Sequence, residues 1–243
     1  MSFLATIERT RANGTKIKEL LRTTLIVHVQ AERPATKINS DTYWFEQAAQ
    51  IGTLRNMHDS KTAAQTNSYW CDIKYDPARP DEFRHANTRQ PLHTDGAYEA
   101  HPPDISFFYC RRAALFGGAT TFIEARTVQE CLRLDAPQLL SRLQNEPLLF
   151  TKGTDSRQTL VFAPSQCAWN YYRLAPTPSE HGDTLGQTFQ QYLETRIQPM
   201  GLVHPIQLQP GDAVFFQDNK VFHGRNAFIG NRWLRKGAIN LRD

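Results

Sequence analysis

Short apolar runs separated by turn formers recur along this chain. Thr24–Val29, Ile105–Cys110, Ala119–Ile123, Pro147–Phe150, Thr159–Phe162, His204–Leu208, Ala213–Gln217 and Trp233–Leu241 each read as a strand. Three stretches carry helical signals instead. Tyr43–Ile51 follows Ser40 and Asp41, both good capping residues. Thr127-Val128-Gln129-Glu130 is a capping-box pattern that opens a helix toward Gln144, with Pro137 set to kink or split it. Asp183–Gln198 places Leu185, Phe189, Leu193 and Ile197 at a spacing of four, one apolar stripe facing a core. Many short strands with a few peripheral helices predict a mainly β protein with a jelly-roll or sandwich core. No repeat or linker interrupts the pattern, so residues 1–243 read as a single domain.

Composition narrows the class. The chain is 40% hydrophobic and 21% charged with a mean hydropathy of −0.53, which excludes a disordered or fibrous polymer. No apolar run approaches the roughly 20 residues of a membrane-spanning helix, and the start, Met1–Arg11, lacks the apolar centre of a secretory signal. Cys71, Cys110, Cys131 and Cys167 show neither zinc spacing nor the density of a disulfide scaffold. A cytoplasmic protein is expected.

The net charge of +4 is unevenly placed. Residues 220–243 hold six bases against the single acid Asp243, so the remainder of the chain is slightly negative. A solvated basic tail would be the simplest explanation. These bases alternate, however, with Trp233, Leu234, Ala238, Ile239 and Leu241, the pattern of a packed strand. A cationic strand in a core calls for an anion.

Eight histidines and 24 acids in 243 residues yield a His-x-acid triplet about once by chance. Two occur. His181-Gly182-Asp183 lies among turn formers ahead of a helix, where Asp183 reads as a cap. His93-Thr94-Asp95 follows Pro91, which favours extended backbone. Residues i and i+2 of a strand face one side, so His93 and Asp95 can share one space, and Gly96 then lets the chain turn. His223 ends a core-facing tract that begins Ala213-Val214-Phe215-Phe216. Alone it suits a buried hydrogen bond or a metal; beside His93 and Asp95 it completes a two-histidine, one-carboxylate set. Such a facial triad leaves coordination positions open and is the ligand set of non-haem Fe(II) oxygenases, although these donors do not select iron by themselves.

The blocks PLHTDGAYEAHPPDISFFYC, GGATTF and LQPGDAVFFQDNKVFHGRNAF, with NRWLRK after them, resemble the Fe(II)/2-oxoglutarate-dependent dioxygenases. The nearest subgroup contains taurine dioxygenase, γ-butyrobetaine hydroxylase and clavaminate synthase. The matching stretches, 91–122 and 208–241, cover about a quarter of the chain. The resemblance implies a double-stranded β-helix, with His93, Asp95 and His223 as iron ligands. It also implies Thr120 and Arg232 as the hydrogen-bonding and ionic partners of the distal carboxylate of 2-oxoglutarate, and O2 as co-substrate. Lys236 falls where a further base stands in the clavaminate synthase subgroup. Relatives that chlorinate carry a small residue in place of the carboxylate, so Asp95 points to hydroxylation, desaturation or another oxygen-derived outcome.

Residue chemistry agrees in part. Arg232, Leu234 and Lys236 share one strand face while Arg235 takes the other, unless a bulge intervenes. Thr120 and Phe122 likewise go together, with Thr121 opposite. A buried guanidinium is costly without an anion, and a carboxylate satisfies it. Without the resemblance, Thr120 reads as a pocket residue or as an ordinary strand threonine, and Lys236 as a pocket lysine or a snorkelling surface lysine; Arg225 is either a support of the site or an exposed residue. The basic strand favours a small carboxylate-bearing substrate such as an amino acid or derivative. Asn87, Tyr98, Asn170 and Tyr171 are candidates for the pocket rim, and Lys236 for its anion. Two competing readings are a cupin-like, non-redox metal isomerase or binding module, and a nucleic-acid dealkylase. The mild charge and the absence of a basic face argue against the latter. Oligomeric state is not legible.

Overall fold

The computed structural model describes residues 1–31, 41–57, 66–176 and 184–241. Ser40, the His181-Gly182-Asp183 triplet, Arg242 and Asp243 lie outside these residues. In chain order the first strands are β1 (Ser2–Glu8), β2 (Thr24–Gln30), β3 (Gly52–Leu54), β4 (Cys71–Lys74), β5 (Gln90–His93), β6 (Ile105–Arg112), β7 (Phe116–Gly117) and β8 (Thr120–Glu124). They continue with β9 (Leu148–Lys152), β10 (Asp155–Thr159), β11 (Phe162–Ala163), β12 (Gln166–Cys167) and β13 (His204–Ile206). The last are β14 (Ala213–Gln217), β15 (Val221–Arg225), β16 (Phe228–Ile229) and β17 (Trp233–Leu241). The α-helices are α1 (Gly14–Leu21), α2 (Asp41–Ile51), α3 (Ala125–Asp135), α4 (Pro137–Asn145) and α5 (Leu185–Tyr192).

One sheet runs β1-β2-β14-β6-β17-β3, with β4 also on β17; a second runs β13-β8-β15-β5. Both faces of the larger sheet are covered. Ala213 and Phe215 on β14, with Ile105, Phe107 and Tyr109 on β6, pack with helix residues Ile17, Trp44 and Ala48. Their alternates Val214, Phe216, Phe108 and Cys110 meet Phe122 and Val221 of the second sheet. Two covered faces explain why these strands are continuously apolar rather than alternating. The architecture is the mainly β, double-stranded β-helix that the family resemblance implied. No helix of the described residues is long and apolar enough to cross a membrane.

β14 and β17 form where the pattern places them, but other elements differ. Thr159–Phe162 is not one strand: Thr159 closes the β9–β10 hairpin, and Phe162 opens the short β11–β12 pair. The polar residues of β10 hid it from an apolar search. α3 begins at Ala125 and not at Thr127, because its first turn continues directly from β8 and Glu124 sits at its N-cap without a side-chain bond. Pro137 splits this stretch, taking the first turn of α4. Thr184, not Asp183, caps α5, with Gln187 completing a capping box. The α-helix ends at Tyr192, and Leu193–Ile197 widens into a π turn. β1 and α1 carried no strong apolar run and escaped the sequence reading; Asn13 caps α1 by accepting from the Lys16 amide.

Candidate active site

β5 and β15 are antiparallel neighbours in the second sheet, and their register sets His93 opposite His223. Cross-strand partners approach most closely in such a pair, and the two rings lie 4.2 Å apart between centroids. Asp95 arrives by another route than strand alternation. β5 stops at His93, and Asp95 stands in the following turn, where Gly96 adopts a φ of 64° that a side chain resists. The turn is tied down from behind: the Asp95 amide donates to the Asp218 carboxylate at 2.9 Å. Carboxylate oxygens of Asp95 then lie 4.0 Å from His93 Nε2 and 3.7 Å from His223 Nε2. One donor atom from each of the three residues falls within 4.8 Å of the others.

These groups are in the protonation states a metal requires. Burial pushes His93 down to about 3 and His223 down to about 4, so both imidazoles are neutral at pH 7. His93 Nδ1 lies 2.9 Å from the Pro91 carbonyl, which assigns the proton to Nδ1 and leaves the Nε2 lone pair facing Asp95. His223 Nδ1 lies 3.4 Å from Asp218, an arrangement that orients ligating histidines elsewhere. Burial alone would raise Asp95, but the Lys236 ammonium, with a smaller contribution from the histidines, holds it well below the usual carboxylate range. Asp218 is shifted the opposite way, raised by burial and by Asp95.

Thr120 and Arg232 meet across this space. Arg232 Nη2 donates to Thr120 Oγ1 at 3.3 Å, and the guanidinium is only 5% exposed. Among the described residues it has no acidic partner. Burial, reinforced by Arg225, pushes it down to about 9. Arg225 is buried too, donating to the Phe83 and Thr88 carbonyls, so it braces the loop bearing those residues. Lys236 turns inward and its Nζ contacts Asp95 Oδ2 at 2.5 Å, while Arg235 takes the opposite face and pairs with Asp72 and Asp41. The register shift at Trp233 and Leu234 falls on the β6 side and leaves this parity intact.

A cavity of about 420 Å³ joins these groups. His93, Asp95, His223, Thr120, Arg232 and Lys236 line it, and Tyr98, Asn170 and Tyr171 form other parts of its wall. Asn87 does not: its side chain is exposed, and its carbonyl accepts from the Phe228 amide. Sequence reasoning missed three contributors. Asp218 reads as part of an Asp-Asn turn, and nothing local announces its burial. Arg173 sits in a short 3-10 turn that carries no periodic signal. Lys152 was findable, because it shares a strand face with the core residue Phe150.

Gly224 sets the tolerance of this site. A Cβ there would come within 2.6 Å of the Gln90 carbonyl of β5, so any side chain drives β15 away from the strand carrying His93. Gly224→Ala is expected to cost about 1–3 kcal/mol of stability and to weaken metal binding; thermal melts and a Co(II) titration would check both. Unchanged metal affinity would show that the histidine spacing is not under this constraint.

Comparison with known proteins fits this geometry. The model of the taurine catabolism dioxygenase TauD, TfdA family matches residues 40–237. A curated relative, dioxygenase str8 of Strobilurus tenacellus, is 27% identical over 160 residues, covering 61% of this chain. The aligned part spans only 38% of that relative's length. Among solved structures, asparagine oxygenase in complex with Fe(II), 3-hydroxyasparagine and succinate superposes with a TM-score of 0.71 at 12% identity, covering 93% of this chain and 77% of that one. The non-haem iron oxygenase OrfP in complex with Fe and α-ketoglutaric acid gives 0.68 at 13% identity, over 93% and 79% of the two chains. At these identities the structural likeness is one of fold.

Proposed function

Since this chain belongs to the taurine catabolism dioxygenase TauD, TfdA family, we propose that it is an Fe(II)- and 2-oxoglutarate-dependent dioxygenase. Its substrate in this reading is a small carboxylate-bearing molecule, such as an amino acid or derivative, which it hydroxylates or desaturates with O2 as co-substrate. Residues 1–243 would act as one catalytic domain, free of nucleic acid and membrane, in the cytoplasm. One juxtaposition carries the reading: a two-histidine, one-carboxylate cluster shares a cavity with a buried guanidinium that has no acidic partner among the described residues.

The donor set fits iron. His93 and His223 would give neutral nitrogen donors and Asp95 one negative charge, with open positions left for a chelating keto-acid. The orphaned guanidinium fits the second group, since Arg232 would pair with the distal carboxylate of 2-oxoglutarate while Thr120 adds a hydrogen bond. When bound, iron and 2-oxoglutarate supply the oxidising power, with succinate and CO2 as by-products. The chain's own residues hold these groups and shape the space beside them. Asp218 fixes the turn that carries Asp95, and Ser106 Oγ donates to the same carboxylate at 3.0 Å. Phe108, Phe122 and Phe216 pack at tilted angles around His223 and keep water from that side. The complex of asparagine oxygenase contains a hydroxylated amino acid, which supports the amino-acid class as a first choice.

The test is succinate release on a panel of amino acids and their N-acyl and keto derivatives, with mass spectrometry of the product. The expected outcome is Fe(II)- and 2-oxoglutarate-dependent succinate formation with a product changed by +16 or −2 mass units. Metal binding without succinate for any substrate would instead support a non-redox metal protein on this barrel.

A further inference from the structure

The cavity is lined by seven basic and four acidic residues, an excess that draws anions. Most of these bases are already engaged. Arg55 pairs with Glu99 at 2.6 Å, and Lys236 with Asp95. Arg225 is spent on backbone carbonyls, and Arg84 donates to His85 and Cys71. Arg232 faces Thr120 and, in the reading above, the co-substrate. Lys152 and Arg173 are left. Lys152 is only 8% exposed, and among the described residues its ammonium donates one hydrogen bond, to the Tyr98 hydroxyl at 3.1 Å. Among the described residues neither Lys152 nor Arg173 has an acidic partner.

We propose that Lys152 and Arg173 form the substrate's anion site, receiving a carboxylate of the molecule to be oxidised at the side of the cavity formed by β9 and the turn Tyr171–Arg173. The proposal rests on the oxygenase reading and deepens it, by moving the substrate's anion from Lys236 to residues on separate elements. A buried ammonium with a single neutral partner is costly, and a carboxylate repairs that cost. Burial, with Arg173 and Lys236 adding to it, pushes Lys152 down to about 8, as befits a cation awaiting its counter-ion. Tyr98 feels the Asp95 carboxylate, as well as burial and Glu99. Tyr98 and Lys152 line the same cavity as His93, Asp95 and His223, so an acid seated on Lys152 would share that space with the metal cluster.

The test uses whole protein loaded anaerobically with Fe(II) and 2-oxoglutarate. Phenylacetate, hippurate, N-acetyl-L-leucine and N-acetyl-L-tyrosine are each titrated beside their neutral carboxamides, followed by calorimetry and by the visible charge-transfer band. At least one acid is expected to bind ten times or more tighter than its amide. Lys152→Met should abolish that preference, Lys152→Arg should restore part of it, and Arg173→Gln should reduce it. Tyr98→Phe should leave it standing, which separates a ligand-binding lysine from one that only clamps a tyrosine. Equal binding of acids and amides, no acid binding at 10 mM or below, or a preference that survives in Lys152→Met would each overturn the proposal. A missing band with Fe(II) and 2-oxoglutarate alone would instead overturn the oxygenase reading, and the calorimetric preference would still judge the anion site.

Discussion

Asp95→Ala is expected to abolish 2-oxoglutarate turnover, a loss on the order of a thousandfold or more, and to lower the melting temperature in the same variant. The first effect follows from removing the only anionic member of the three-donor cluster, which leaves two neutral imidazoles to hold a divalent ion. The second follows from Lys236. Its ammonium lies 2.5 Å from Asp95, and both side chains are 16% exposed. Deleting one partner of a buried pair strands the other charge, at a cost of about 3–5 kcal/mol. Lost activity in the single variant would therefore mix chemistry with folding. The double variant Asp95→Ala/Lys236→Met separates them, because it removes the stranded charge with the carboxylate. Stability should largely return, while turnover and the anaerobic charge-transfer band should not. Full activity in either variant would remove Asp95 from the metal site.

Arg232→Met should have effects of opposite sign on binding and stability. A guanidinium gripping a carboxylate makes charge-assisted hydrogen bonds worth about 1.5–3 kcal/mol each. Losing two of them corresponds to a hundredfold or greater rise in the 2-oxoglutarate dissociation constant, at about 1.4 kcal/mol per tenfold. KM for 2-oxoglutarate should rise far more than kcat falls. The protein without co-substrate should melt no lower than the parent. Among the described residues its buried guanidinium has Thr120 and the Phe228 ring beside it but no acid, and a thioether of similar length fills the volume without an unpaired charge. Unchanged 2-oxoglutarate affinity would contradict the assignment, and a sharp fall in stability would show that Arg232 is chiefly a structural cation.

Much of the cavity's inward-facing side could be read from alternation. Lys236 and Arg235 part to opposite faces of β17 because successive side chains on a strand must do so, and the contacts with Asp95 on one side and Asp72 on the other follow. Thr120 and Phe122 share a face for the same reason. Alternation misled at Asp95. Two residues after His93 it happens to lie near the histidine, but a turn with a positive-φ glycine and the backing of Asp218 put it there. Asn87 looked suitable by residue type alone and ended on the surface, since its loop is held through its carbonyl.

The sequence by itself determined which side chains can share a strand face, where strands end and which residue types are available for chemistry, because these depend on bonded neighbours a few positions apart. Tertiary structure alone decided that His93 stands opposite His223, that Asp218 is buried behind both, and that Lys152 and Arg173 line one cavity without an acidic partner among the described residues. Those facts depend on which strands pair and in what register, and pairing is settled by the burial of whole sheet faces between distant segments rather than by any local pattern.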